Sequence, residues 1–383
     1  MKKIVFISGI LVITFISISC NKKDDSETTP AFKPTPYDIE IPFGFPKNLN
    51  IPEDNPLTVE GIALGRDLFY DGRISGRTDP DSLMSCSTCH IQGHGFECGI
   101  DNPDFPEGHP HGATGMLTPH YMLPLINLVW NKNGYTWNGS ISESNPDPGL
   151  HNIEGIAYLA ITDPHEIKAD TSKVVNAIQN IPGYPELFKE AFGSEEVTID
   201  RISKAIAQFV RTIISSNSRF DQYLRGEIQL TPEELNGYVL FTTEEGADCF
   251  HCHGGGGNPL FTTNLCYNNA KDSVFTDPFD RYSVTGNPTD IGAYKAPTLR
   301  NIEMTSPYMH DGRFKTLDEV INFYSEGLVY TPYVNPLMHW ISYGGTQLTP
   351  KEKEDLKAFL LSLTDYDLLT NPAYARPDKL PGE

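Results

Sequence analysis

Basic residues are scarce in this 383-residue chain: 29 Lys and Arg stand against 50 Asp and Glu, a formal charge of −21. Such a surface repels a phosphate backbone instead of releasing its counterions, which argues against nucleic acid as a partner. Long apolar runs are missing apart from the stretch from Ile4 to about Ile18, which is too short and too close to the start for a stable membrane span. Cysteine is limited to seven residues, too few at this length for a disulfide scaffold. The rest is globular material, 39% apolar and 11% aromatic, with 30 Pro and 32 Gly that imply many loops. The length suits two ordinary domains of ~100–200 residues or one large one.

The opening MKKIVFISGILVITFISISC has a basic start (Lys2, Lys3), the apolar run and a small residue before Cys20, and reads as a secretory signal over residues 1–19. Ser-Ile-Ser-Cys resembles a bacterial lipobox, with Cys20 as a lipidated anchor to a membrane; ordinary cleavage leaving a free Cys20 is the alternative. Residues 20–52 are polar, then proline-rich, and are expected to form an extended tether. The run Lys22-Lys23-Asp24-Asp25 resembles surface-export signals of some Gram-negative lipoproteins. The expected location is the periplasmic side of the outer membrane, with the cell surface as the variant.

Four of the seven cysteines fall into CSTCH (Cys86, Cys89, His90) and CFHCH (Cys249, Cys252, His253). This is the c-type haem attachment pattern, for which this composition gives only about 0.004 chance matches. Two thiols three residues apart reach the two vinyl groups of one haem, and the next residue points an imidazole at the iron. A zinc ribbon wants its Cys pairs close in sequence, and a dithiol redox centre wants a βαβ context; neither is visible here. Two covalent haems c are therefore predicted.

The surroundings are helical. GIALGRDLFYDG precedes the first motif and LNGYVLFTTEEG the second, as expected for two copies of one haem-binding unit. Ile199, Ile202, Ala205, Ile206, Phe209, Val210 and Ile213 form one stripe. Thr231-Pro232-Glu233-Glu234 and Thr349-Pro350-Lys351-Glu352 are helix starts with capping boxes, the latter ahead of Leu356, Phe359, Leu360 and Leu363. The predicted fold is mainly α: two cytochrome c-like haem domains, 53–220 and 221–383, with long irregular loops and a boundary near 217–230.

Taken together, LGRDLFYDGRISG…CSTCH, LINLVWNKNGYTWNG, ITDPHEI, LFTTEEGADCFHCH and APTLRNIEMTSPYMHDGRFKTLDEVINFY resemble the bacterial dihaem cytochrome c peroxidase family, including its MauG-like branch, from about Pro52 to Asp365. The resemblance implies that His90 holds a peroxidatic haem and His253 an electron-transfer haem. Glu166 of ITDPHEI takes the family's distal acid/base position, where one carboxylate can remove a proton from one peroxide oxygen and return it to the other; a solvated surface Glu is the plainer reading. The glutamine usual ten residues earlier is Ile156 here. Trp137 matches the tryptophan between the haems, although a core Trp would look the same in sequence.

The sixth ligands separate the branches. Of His94, His109, His111 and His120, His111 fits best as a loop cap on the first iron, against an equally open reading as an exposed loop histidine. On the second iron the family peroxidases use a Met seven residues after the leucine of a TL motif; counted from Leu317 that position is Tyr324, as in MauG, which oxidises side chains on a partner protein. A phenolate favours ferric iron and lowers the potential, whereas a thioether raises it. Met338 is the rival ligand. The resemblance also implies one Ca²⁺ on the carbonyls of Thr305 and Pro307, although the usual asparagine donor falls near Pro119 or His120. Cys98 and Cys266 either pair or stay as thiols.

Three functions are thus expected in descending order. The first is a dihaem peroxidase reducing hydrogen peroxide to water with electrons from a small redox protein, a cytochrome c or cupredoxin. The second is a MauG-like peroxide-dependent oxidase, and the third a pure dihaem electron carrier. The oligomeric state is open, with a homodimer among the options.

Overall fold

A computed structural model of the chain describes residues 1, 32–105, 108–255 and 257–383. The segment read as a secretory signal and Cys20 lie outside the described residues. The helices are α1 (Val59–Tyr70), α2 (Cys86–Cys89), α3 (Ile153–Thr162), α4 (Thr171–Gln179), α5 (Tyr184–Phe192), α6 (Ile199–Arg211), α7 (Arg219–Leu224), α8 (Pro232–Phe241), α9 (Phe250–His253), α10 (Arg281–Thr285), α11 (Leu317–Glu326), α12 (Pro350–Leu361) and α13 (Tyr366–Thr370). One antiparallel ribbon pairs β1 (Cys266–Tyr267) with β2 (Tyr294–Lys295), Cys266 opposite Lys295. Among the described residues no helix is long and apolar enough to cross a membrane.

The repeat seen in sequence is a repeat in packing. Gly65 and Phe69 of α1 correspond to Gly237 and Phe241 of α8, both as Gly-x-x-Leu-Phe, and both phenylalanines are fully buried. A Cβ on Gly65 would lie 1.9 Å from the Ala205 carbonyl oxygen of α6, and one on Gly237 1.9 Å from that of Asp355 in α12. Each glycine therefore lets a haem-side helix press directly on the backbone of its partner. Around the first crossing gather Leu64, Leu68, Ile161, Val174, Phe188, Ile206 and Phe209; around the second, Phe220, Phe261, Leu356, Phe359 and Leu363.

The local signals act as read. Thr198 caps α6 on Arg201 N, and Ile202, Ala205, Ile206, Phe209 and Val210 of its stripe are buried. Both Thr-Pro-x-Glu starts form complete capping boxes, on α8 and on α12.

Two expectations about boundaries are corrected. The tether expected over residues 20–52 does not extend to Pro52: Pro34 onward belongs to one compact unit that runs to Glu383. Phe45 is buried against Val129, Trp130 and Leu260, with Ile39, Ile41, Leu49 and Ile51 packed on the same cluster. These apolar residues outweigh the solvating effect of the prolines between them. Two buried arginines hold this strap. Arg211, bidentate to Glu154 at 2.6 and 2.8 Å, also donates to the Asn50 carbonyl at 3.2 Å; Arg300, bidentate to Asp221 at 2.6 and 2.8 Å, lies 5.0 Å over the Phe45 ring.

The second correction concerns the C-terminus, expected to belong wholly to the second haem domain. Leu368 of α13 joins the first core, Tyr70 donates to the Tyr374 carbonyl at 2.6 Å, and Arg73 donates to that of Pro381 at 2.7 Å. The junction between the domains is held as well. Ser215 exchanges two bonds with Asn127, Asn301 donates to the Ser215 hydroxyl, and Asp365 accepts from the amides of Ser216 and Asn217 at 2.8 and 2.9 Å.

Gly237→Ala should destabilise the holoprotein by about 1–3 kcal/mol through overpacking against α12. Gly93→Ala, whose Cβ meets nothing within 4 Å, should change stability by less than about 0.5 kcal/mol. Denaturant midpoints of the two variants check the difference.

Candidate functional site

Each CxxCH motif forms a short helix that ends at its histidine. Ser85 opens α2 with a capping box closed by Thr88, and His90 follows as the C-cap. The chain then turns tightly, with Phe96 in the left-handed region at φ 61° and Ile91 bridged to Glu97, so that the Phe96 carbonyl accepts from Nδ1 of His90 at 2.7 Å. His253, the last residue of α9, donates from Nδ1 to the Pro297 carbonyl at 3.0 Å. A ring that donates from Nδ1 carries its lone pair on Nε2, the atom an iron requires. Burial pushes both imidazoles down to about 4, favouring the neutral form that an iron would take.

The pseudo-repeat extends to these carbonyls. Phe261, like Phe96, has a positive φ (50°), and the two accept from Leu299 N and Leu125 N. Leu125-Ile126-Asn127 and Leu299-Arg300-Asn301 match, both asparagines taking left-handed conformations ahead of a short 3-10 turn. Holding a bulky Phe there costs roughly 1–3 kcal/mol each, offset by the surrounding packing.

Burial drives the thiols up, Cys86 and Cys252 to about 12 and Cys89 and Cys249 further. Neither Cys98 nor Cys266 forms a disulfide. Cys98 is buried beside Asn102, and Cys266 lies on the ribbon near the Trp137 carbonyl.

The first cavity, about 710 Å³, brings together Cys86, Cys89, His90, His111, His165 and Glu166, with Phe69, Ile156, Ala157, Ile206 and Val210 as apolar wall. Burial, with help from Asp163, lifts the Glu166 carboxyl to about 7. It can therefore both take and give a proton near neutrality. Backbone contacts fix it: Glu166 N donates to Asp163 O, and its own carbonyl accepts from Ala113 N at 2.8 Å. The last bond packs the His111 loop against the backbone of Glu166. Of the four cap candidates His111 alone lines this cavity. His94 is paired with Asp101, His109 donates to the Thr118 carbonyl, and His120 lies 2.7 Å from Asp277. His165, paired with Asp163 at 3.0 Å, was not singled out in sequence, although its place beside Glu166 was a signal.

The second cavity, about 1650 Å³, is lined by Cys249, Cys252, His253, Tyr324 and Met338, so both rival ligands reach it. Burial raises the Tyr324 phenol, while its oxygen accepts from Asn269 at 3.0 Å, a bond that favours the phenolate. Thr305 and Pro307 line the same cavity beside Glu97, whose Oε1 is buried without a partner and whose carboxyl burial pushes up to about 8. Such an orphaned acid suits a cation, and no sequence pattern announced it. Trp137 lines both this cavity and the one between the domains. Its indole donates to the Tyr121 carbonyl at 2.8 Å, and its own carbonyl accepts from Lys295 N at 2.7 Å.

Two helical halves, each presenting a CxxCH thiol pair and an Nδ1-anchored histidine to its own cavity, define a dihaem c-type protein. The comparisons name the group more closely. Residues 59–229 match the model of the di-haem cytochrome c peroxidase family. The methylamine utilization protein MauG of Methylorubrum extorquens is 31% identical over 331 residues, covering 85% of this chain and 84% of its own. The cytochrome c551 peroxidase of Nitrosomonas europaea is 34% identical over 277 residues, 70% of this chain and 73% of its own. The crystal structure of a MauG-like protein associated with microbial copper homeostasis superposes with a TM-score of 0.75 at 32% identity, over 90% of this chain and all of that one. The chain belongs to the di-haem cytochrome c peroxidase family, a family of oxidoreductases that carry two c-type haems.

Alkylation of the unfolded, unreduced protein should label Cys98 and Cys266, while Cys86, Cys89, Cys249 and Cys252 carry haem. Peptide mass spectrometry reads this directly, and a linked pair of Cys98 and Cys266 peptides would contradict it.

Proposed function

We propose that the chain reduces hydrogen peroxide at the haem held by Cys86, Cys89 and His90, with electrons from a small redox protein entering through the haem held by Cys249, Cys252 and His253. The observation that carries this reading is that Glu166, its carboxyl lifted by burial, lines the same largely apolar cavity as Cys86, Cys89 and His90. When bound, the iron supplies the redox chemistry that cleaves the O–O bond. Glu166 takes the proton of the near peroxide oxygen and returns it to the far one as water leaves. The apolar wall keeps bulk water from competing for that proton. Ile156 offers no polar contact, so orientation falls to Glu166 and the loop of His111. Trp137, tied by hydrogen bonds to segments of both domains, is the relay between the two haems.

Tyr324 supports a second reading, peroxide-driven oxidation of an organic or protein substrate as the MauG-like name of two relatives suggests. An anionic oxygen ligand stabilises ferric iron and works against reduction by an ordinary donor. Calcium belongs to the same proposal: Glu97 supplies the oxygen donor that the position near Pro119 and His120 lacks. So does attachment through Cys20 to the periplasmic side of the outer membrane, a location that suits haem attachment outside the cytoplasm.

Glu166→Gln should keep both haems and slow peroxide turnover by about 10²–10⁴-fold. The base form is needed, so wild-type turnover should fall as pH drops through about 7, and the variant should lose that limb. Stopped-flow mixing with peroxide across pH checks both; unchanged turnover would move the acid/base elsewhere. Steady-state assays with a reduced cytochrome c or cupredoxin separate the two readings.

Tyr324→Met should raise the potential of the second iron and introduce the sulfur-to-iron charge-transfer band of His/Met haems. If the wild type already has that band and Met338→Ala abolishes it, Met338 is the ligand and the donor-linked peroxidase reading prevails.

A further inference from the structure

Three metal-ligating side chains meet outside the ligand sets described above. Glu244 follows α8, His251 lies between the two thiols of CFHCH, and His339 follows Met338; one ligand atom of each lies within 4.8 Å of the other two. The cluster is braced from behind by Asp248. One of its oxygens is 2.6 Å from Nδ1 of His251 and the other 3.5 Å from Nδ1 of His339. Nε2 of His251 is thereby turned to within 3.6 Å of Oε1 of Glu244. The two rings stand edge to face with centroids 4.8 Å apart, and the Trp340 indole donates to the Glu244 carbonyl at 2.8 Å, tying the two loops together. A carboxylate on Nδ1 with Nε2 facing outward is the arrangement that orients metal-binding histidines. The rim is open to ions: the Glu244 side chain is 60% exposed and that of His339 41%.

We propose that Glu244, His251 and His339 form a binding site for one divalent ion of the zinc–copper class. Two neutral imidazoles and one carboxylate are a borderline donor set; Mg²⁺ and Ca²⁺ want oxygens only, and Cu(I) wants sulfur. Three protein ligands leave a position for water. The ion would cross-link three pieces of chain around the second haem: the loop after α8, the attachment helix α9 and the segment that carries Met338. This site is independent of whether Tyr324 or Met338 ligates the iron.

The test uses tag-free dihaem holoprotein in metal-depleted buffer, dialysed against Zn²⁺ alone and separately against Cu²⁺ alone, with bound metal counted by mass spectrometry against haem iron. The expected result is one Zn or Cu per two Fe. His339→Ala and Glu244→Gln should each keep two haems and an unchanged Soret band while weakening that binding at least tenfold. Asp248→Asn should weaken it by roughly 10–100-fold by removing the charge behind both rings. Absence of stoichiometric binding in the wild type overturns the proposal, as does equal binding by the wild type and Glu244→Gln, the most exposed of these substitutions and the least able to disturb folding.

Discussion

Everything chemical in this molecule depends on two hydrogen bonds, Nδ1 of His90 to the Phe96 carbonyl and Nδ1 of His253 to that of Pro297. They select the tautomer and aim the lone pair that an iron would take. The acceptors sit at stiff points of the chain. Phe96 is held in a left-handed turn inside the first core. Pro297 lies two residues beyond Lys295, whose amide bonds the Trp137 carbonyl and whose ammonium, pushed down to about 7 by burial, donates to the Gly134 carbonyl. The segment that positions the second proximal histidine is therefore the one that positions the tryptophan between the domains.

Buried polar groups tie the two halves together. Arg211 and Arg300 are both fully buried and each is paired with a carboxylate of its own domain, so neither pair joins the halves by itself. Their second contacts do the joining, because Asn50 and Phe45 belong to one strap lying on both. Buried ion pairs add little net stability over apolar replacements, but they penalise any arrangement that leaves one partner unpaired. Here the penalised arrangement is one in which the strap or the domain junction shifts.

Much of the site was legible because its chemistry is local. CSTCH, CFHCH and the capping boxes are contained in windows of five residues, and the stripe of α6 follows from a 3.6-residue period. Glu166 needed the resemblance, since nothing in ITDPHEI by itself distinguishes a distal acid from a surface one. The strap was misread because its prolines dominate the local impression; the alternation Asp38-Ile39-Glu40-Ile41 was the available signal of a half-buried extended segment. Glu97 beside Thr305, and His251 beside His339, were out of reach. Their meaning arises from contacts across more than 80 residues, which no periodicity encodes.

The two halves also show how one scaffold is given two tasks. Gly-x-x-Leu-Phe, the left-handed Phe and Leu-x-Asn recur in both, although His90 is anchored on the Phe carbonyl and His253 on that of Pro297. The distal sides share nothing. The first has a carboxyl that burial lifts to about 7, the His111 loop packed on its backbone, and an apolar wall. The second has a buried phenol that accepts from an amide, and the Met338 thioether lines the same cavity. The duplicated element is the haem holder, and the two cavities it serves are lined by different groups.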